Sequence, residues 1–227
     1  MKDIENARRL AELLVKTVQS MGKKAIALIT DMNVPLGKKI GNFLEIEETL
    51  DVLEGNAPDD VAELTLTLAA HMIFMGGASS SYDEAMKKAN SVIKDGSAFE
   101  CFCKNVEAQG GNVKKMLEQR GSASSKYSKD ILASEDGYIS ALDALTCGKA
   151  SVKLGVGREK KTDTVCAGAG ITLFKTYGNK VSKNEPIMRL YGKSESAVEE
   201  ALIIMKDALQ FSPKAPQKRV LINEIVS

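Results

Sequence analysis

Thr30-Asp31-Met32-Asn33-Val34-Pro35-Leu36-Gly37, followed by Gly41-Asn42 and then by Glu45, Glu47 and Glu48, is the stretch around which the rest of the chain is organised. Just before it, Ala25-Ile26-Ala27-Leu28-Ile29-Thr30 is a short apolar run with turn formers on either side, which predicts a buried strand. Before that, Ile4, Ala7, Leu10, Ala11, Leu14, Val15 and Val18 recur at spacings of three and four. This periodicity predicts an amphipathic helix over 3–21, stopped at Gly22. Helix, glycine and buried strand make one α/β unit. After the polar loop 31–41, Leu44, Leu50 and Leu53 mark the apolar stripe of a second helix over 42–53. In open α/β sheets ligands sit beyond the carboxyl ends of strands, so a polar loop between strand and helix is where function is expected. On local pattern alone the same loop also reads as a plain connection rich in turn formers.

Further along, Pro58 opens a third helix, with Asp59 and Asp60 at its positive end and a run to about Met75. Val61, Leu64, Leu66, Leu68, Met72 and Ile73 place apolar residues on most of its sides, which predicts a central position. Helices follow from Ser81 or Asp83 to about Lys94, over 97–108 and over 112–119. The composition shifts at Arg120-Gly121-Ser122-Ala123-Ser124-Ser125-Lys126, which suggests a domain boundary. The expected division is 1–121 and 122–227. In the second part, strands are predicted over 127–133, 137–141, 169–176, 186–191 and 218–225, with helices over 142–154 and 195–209. The fold class expected is an α/β segment followed by a β-rich α+β domain.

The bulk properties exclude several classes. Thirty-one basic and 30 acidic residues leave a net charge of +1, so no electrostatic footprint for nucleic acid is present. No apolar run approaches a membrane span, and Met1-Lys2-Asp3-Ile4-Glu5 lacks the apolar core of a signal peptide, so a cytoplasmic protein with no membrane partner is expected. Cys101, Cys103, Cys147 and Cys166, with the single His71, do not form a zinc-ligand pattern; reduced thiols are expected. His71 reads as a satisfied core histidine, and Met72 and Met75 as core methionines.

The quoted loop resembles a landmark of the pyrimidine-nucleoside and thymidine phosphorylases. Asp31 to Gly37 and Gly41 to Glu45 match Asp-Met-Asn-x-Pro-Leu-Gly and Gly-Asn-x-Leu-Glu. Met1-Lys2, Leu64 to Leu68, Ala108-Gln109-Gly110-Gly111-Asn112, Asp136-Gly137-Tyr138, Leu154 to Arg158 and Gly178 to Val181 resemble successive landmarks of the same family, in order. The resemblance implies a glycosyltransferase: phosphate attacks the anomeric carbon of a pyrimidine nucleoside, giving free base and a pentose 1-phosphate. Thymidine, uridine and deoxyuridine are the candidate substrates. It also implies a homodimer, a barrel-sandwich-like second domain, and a potassium ion held in part by this segment. The matching positions are Leu36 and Lys39, as carbonyl donors, and Glu48, as carboxylate; oxygen ligands suit a hard cation. Lys39 stands where the family has a small residue.

In that family the phosphate loop and the Arg, Ser and Lys that hold the base lie upstream of the position matching Met1. The resemblance therefore implies that the 227 residues alone lack catalytic residues and do not turn over. Met1 matches a methionine lining the nucleoside pocket but also reads as a frayed terminus. The run Gly155-x-Gly157-Arg158-Glu159-Lys160-Lys161 reads as a solvated loop before it reads as an anion site. Two other classes compete. One is a non-catalytic interaction fragment. The other is a carrier domain, because Tyr177 to Met188 resembles the hairpin of biotinyl- and lipoyl-type modules, although the usual neighbours of a modified lysine are missing.

Overall fold

The computed structural model describes residues 3–158 and 160–227. It is a mixed α/β chain with eight helices and nine strands among the described residues, and its ladders are antiparallel. The first part is mostly helical: α1 (Ile4–Ser20), β1 (Ala27–Thr30), β2 (Lys39–Ile40), α2 (Asn42–Leu53), α3 (Asp59–Met75), α4 (Tyr82–Lys94), α5 (Ser97–Ala108) and α6 (Val113–Glu118). The helix starts follow capping chemistry. Asp3 accepts the Asn6 N–H at 2.8 Å, and Ser81 accepts the Glu84 N–H at 3.2 Å.

The second part holds β3 (Tyr127–Leu132), β4 (Gly137–Leu142), α7 (Ala144–Leu154), β5 (Gly170–Leu173), β6 (Lys180–Val181), β7 (Pro186–Gly192), α8 (Glu195–Met205), β8 (Leu209–Ser212) and β9 (Ile222–Val226). One sheet runs β2-β5-β7-β3 and another β6-β4-β8. They share a core that includes Ile139, Leu142, Leu154, Ile171, Leu190 and Met205, all essentially fully buried, closed by α7 and α8. Alternation of inward and outward residues drives this arrangement: Ile187, Met188, Leu190 and Gly192 of β7 are buried, while Arg189 and Tyr191 are only partly so.

Two strands cross between the parts. β2 joins the larger sheet through β5, and β9 returns to pair with β1. Gly41 makes the first crossing possible. A Cβ there would lie 2.5 Å from the Ala169 carbonyl oxygen, and its φ of +143° also favours glycine. The backbones of Gly41 and Gly170 therefore touch, and Phe43 donates its N–H to the Ala167 carbonyl at 3.2 Å.

Several expectations are corrected. α3 is not central: only Leu64 and Ala70 are fully buried in it, and Met72 is 69% exposed. Its main packing partner is α4, with Val61 reaching the Gly37 turn, while Leu68, Met72 and Phe74 stay exposed, so Met72 is not a core methionine. The helix expected to reach 209 ends at Met205, because Leu209-Gln210-Phe211-Ser212 pairs with β4 as a strand. The last strand starts at Ile222 rather than 218; Arg219 and Leu221, just before it, bind Asp31. His71 is not satisfied: both ring nitrogens are buried without a hydrogen-bond partner, and its ring packs on Tyr82 at 4.6 Å.

Candidate functional site

Leu36, Lys39 and Glu48 line one cavity of about 540 Å³, between the 31–41 loop, α2, α3 and the first turn of α7. The loop is folded by its own polar groups. Asp31 Oδ1 accepts the Asn33 N–H at 3.0 Å, and the Asn33 carbonyl accepts the Ala144 N–H at 2.8 Å. Gly37, at φ +73°, turns the chain so that its N–H donates to Asp60 Oδ2 at 3.1 Å. A Cβ at Gly37 would lie 2.2 Å from Glu48 Oε2, so the absence of a side chain lets the carboxylate pack against the turn.

Glu48 is 8% exposed. Its Oε1 accepts the Lys38 N–H at 2.7 Å. Burial pushes its carboxyl above the ordinary value; the Lys38 N–H and the Lys39 ammonium pull it back, and Asp60 and Asp51 add to the rise. The Lys38 carbonyl accepts from Leu173 of β5, so by strand alternation the Lys39 carbonyl points away from β5. That carbonyl orientation and the Glu48 carboxylate have the chemistry of hard-cation donors. Among the described residues no group of three His, Cys, Asp or Glu side chains is arranged to hold a metal ion, so such a site would depend on carbonyls.

The Lys39 side chain goes elsewhere. Its Nζ lies 3.4 Å from Glu47 Oε2 and 3.1 Å from Asp51 Oδ2. Glu47, only 4% exposed, uses its other oxygen to accept the Gly121 N–H at 2.6 Å. Arg120 binds Asp51 Oδ1 at 2.5 Å and Glu54 Oε1 at 2.9 Å. Asp51 is held below the ordinary carboxylate value: burial raises it, but the Arg120 and Lys39 contacts outweigh that. The segment after α6 is thus tied to α2 by charge.

The C-terminal return contributes residues that local reading missed. Arg219 Nε donates to Asp31 Oδ2 at 2.8 Å, and a second guanidinium N–H donates to the Asp31 carbonyl. The Asp31 N–H donates to the Leu221 carbonyl at 2.8 Å. Burial raises the Asp31 carboxyl, but the Asn33 N–H and Arg219 outweigh it and hold the carboxyl below its ordinary value.

The other sequence candidates fare differently. Met1 and Glu159 lie outside the described residues. Gly155 ends α7, a helix C-terminus whose carbonyls disfavour an anion, and Arg158, Lys160 and Lys161 are exposed. The four cysteines are free; Cys147, on the cavity wall, is buried and its thiol is pushed up to about 12 by that burial. No helix among the described residues is long and apolar enough to cross a membrane.

Two family models match, in chain order. Residues 1–99 match the one described as "Glycosyl transferase family, a/b domain", and 138–212 the one described as "Pyrimidine nucleoside phosphorylase C-terminal domain". The first match places that part of the chain in the class of glycosyl transferases. The chain is 35% identical over 227 residues to a pyrimidine-nucleoside phosphorylase of Geobacillus stearothermophilus, covering 100% of this chain and 52% of that protein. To the Bacillus subtilis protein of the same name it is 35% identical over 221 residues, 97% of this chain and 51% of the relative. The chain belongs to the pyrimidine-nucleoside phosphorylase family, and it spans about half the length of the curated relatives it matches.

Proposed function

We propose that this chain serves phosphorolysis of a pyrimidine nucleoside to free base and (deoxy)ribose 1-phosphate, and that the 227 residues by themselves do not turn over. The observation that carries the reading is the cavity where Leu36, Lys39 and Glu48 meet on a family-matching loop. Breaking the glycosidic bond puts negative charge on the departing base, beside a phosphate that is already anionic. Such chemistry needs donors and cations aimed at both. The charged groups lining this cavity are Glu45, Glu48 and Lys39, and the Lys39 ammonium is engaged by Glu47 and Asp51. A cavity with that balance repels phosphate. The phosphate and base therefore take their ligands from elsewhere in a complete enzyme, while this side supplies the wall that needs one monovalent positive charge near Glu48. Leu36, Lys39 and Glu48 form that wall.

The same reading gives a cytoplasmic homodimer. It also divides the chain at 121/122, with the two sheets and shared core of the second part forming a barrel-sandwich-like domain. The test is a spectrophotometric assay of thymidine, uridine and deoxyuridine with phosphate and the purified 227-residue chain. No base release is expected; turnover at an ordinary enzymatic rate, on the order of 1 per second or more, would refute the assignment of the anion and base ligands elsewhere.

A further inference from the structure

The wall around Glu48 already carries a cation of its own. Lys39 lines the same cavity as Leu36 and Glu48, and its side chain is only 22% exposed. Its ammonium is fixed between Glu47 Oε2 and Asp51 Oδ2, at 3.4 and 3.1 Å. The remaining oxygens of those two carboxylates are committed to Gly121 and Arg120, so Glu47 and Asp51 each present one oxygen to Lys39. From there the ammonium still acts on Glu48, whose carboxyl it pulls down, and an ion on the Lys39 carbonyl would meet a like charge carried by the same residue. Glu48, for its part, gives one oxygen to Lys38 and packs the other against Gly37.

We propose that the positive charge this cavity requires is the ammonium of Lys39, so that the chain takes up no potassium here and becomes potassium-responsive only when that ammonium is removed. The inference rests on reading Leu36, Lys39 and Glu48 as the cation side of a phosphorylase site. Removing the ammonium leaves the buried Glu47 with only the Gly121 N–H, while Asp51 keeps Arg120, and an added cation relieves the uncompensated buried charge.

Thermal unfolding of the 227-residue chain in KCl, NaCl and choline chloride at equal ionic strength tests this. The native chain and Lys39→Arg should melt at the same temperature in all three salts. Lys39→Ala should melt on the order of 10 °C lower in choline chloride and recover part of that loss in KCl. A potassium-specific rise in the native chain, or a Lys39→Ala loss that KCl does not relieve, overturns the proposal. Should the alanine variant fail to fold, thallous-ion binding to the native chain decides: absence of binding supports a resident ammonium, and saturable binding that KCl competes away refutes it. No substrate enters these measurements, so they are independent of the phosphorolysis assay.

Discussion

Replacing Gly37 by alanine should be one of the more damaging single-methyl additions in this chain, and Gly22 supplies its control. Both residues have φ +73°, so an alanine at either pays the same left-handed backbone cost, about 1–2 kcal/mol. They differ in what the new Cβ meets. At Gly22 nothing lies within 4 Å. At Gly37 the methyl would fall 2.2 Å from Glu48 Oε2, 2.8 Å from Glu48 Cδ and 2.9 Å from Val61 Cγ2. Glu48 cannot swing away freely, because it is buried and bonded to the Lys38 N–H. Forced displacement in a packed site adds roughly 1–3 kcal/mol. The expected totals are about 1–2 kcal/mol for Gly22→Ala and about 2–5 kcal/mol for Gly37→Ala. For a chain of this size each kcal/mol shifts the melting temperature by roughly 2–4 °C. Urea titrations of the two variants side by side measure the difference directly. Equal midpoints would mean that Glu48 does not pack against the Gly37 turn, and the site geometry would be wrong.

The Arg219–Asp31 pair should act in a defined pH window. Asp31 is held below 3.8, so its contribution is fully present above that value and is lost as pH falls through the lower folded value. Arg219→Gln should therefore cost about 2 kcal/mol at pH 7 and progressively less below pH 3.8, and a difference that stays constant across that range would contradict the clasp. The uncovered apolar faces, with Leu13 61% and Met72 69% exposed, should drive self-association. Sedimentation across roughly 1 µM to 1 mM should show mass rising with concentration and Leu13→Lys with Met72→Lys suppressing it; an unaffected oligomer would point to another face. Exposed Cys101 should react with a thiol reagent at pH 8 at once, and buried Cys147 only on unfolding; a fast Cys147 would mean an open α7 packing.

Most helices and the longer strands were legible because their periodicity is local. The α1 pattern, the Gly22 stop and the apolar run into Thr30 each need only a window of residues. The second-part strands come from short apolar runs bounded by turn formers. What escaped was short or distant. β2 and β6 are two residues each, and β8 is four residues, of which the sequence pattern attaches Leu209 to the preceding helix and leaves the rest unassigned. Arg219 sits 188 residues from Asp31, and Arg120 is 69 from Asp51; no local signal joins either pair. The position of α3 misled because an all-round apolar helix announces burial without saying by what. Of the site, Leu36, Lys39 and Glu48 were identifiable through family resemblance, and they do line one cavity; that the ammonium of Lys39 is drawn to Glu47 and Asp51 needed side-chain geometry.

If these residues carry a working share of a pyrimidine-nucleoside phosphorylase, they should function in the frame of a relative. The direct test is a chimera in which this chain replaces the matching 227 residues of the Geobacillus stearothermophilus relative. The chimera should phosphorolyse pyrimidine nucleosides, and Glu48→Gln should reduce that on the order of 10–100-fold. A chimera that melts cooperatively yet releases no base, beside an active parent, would contradict it.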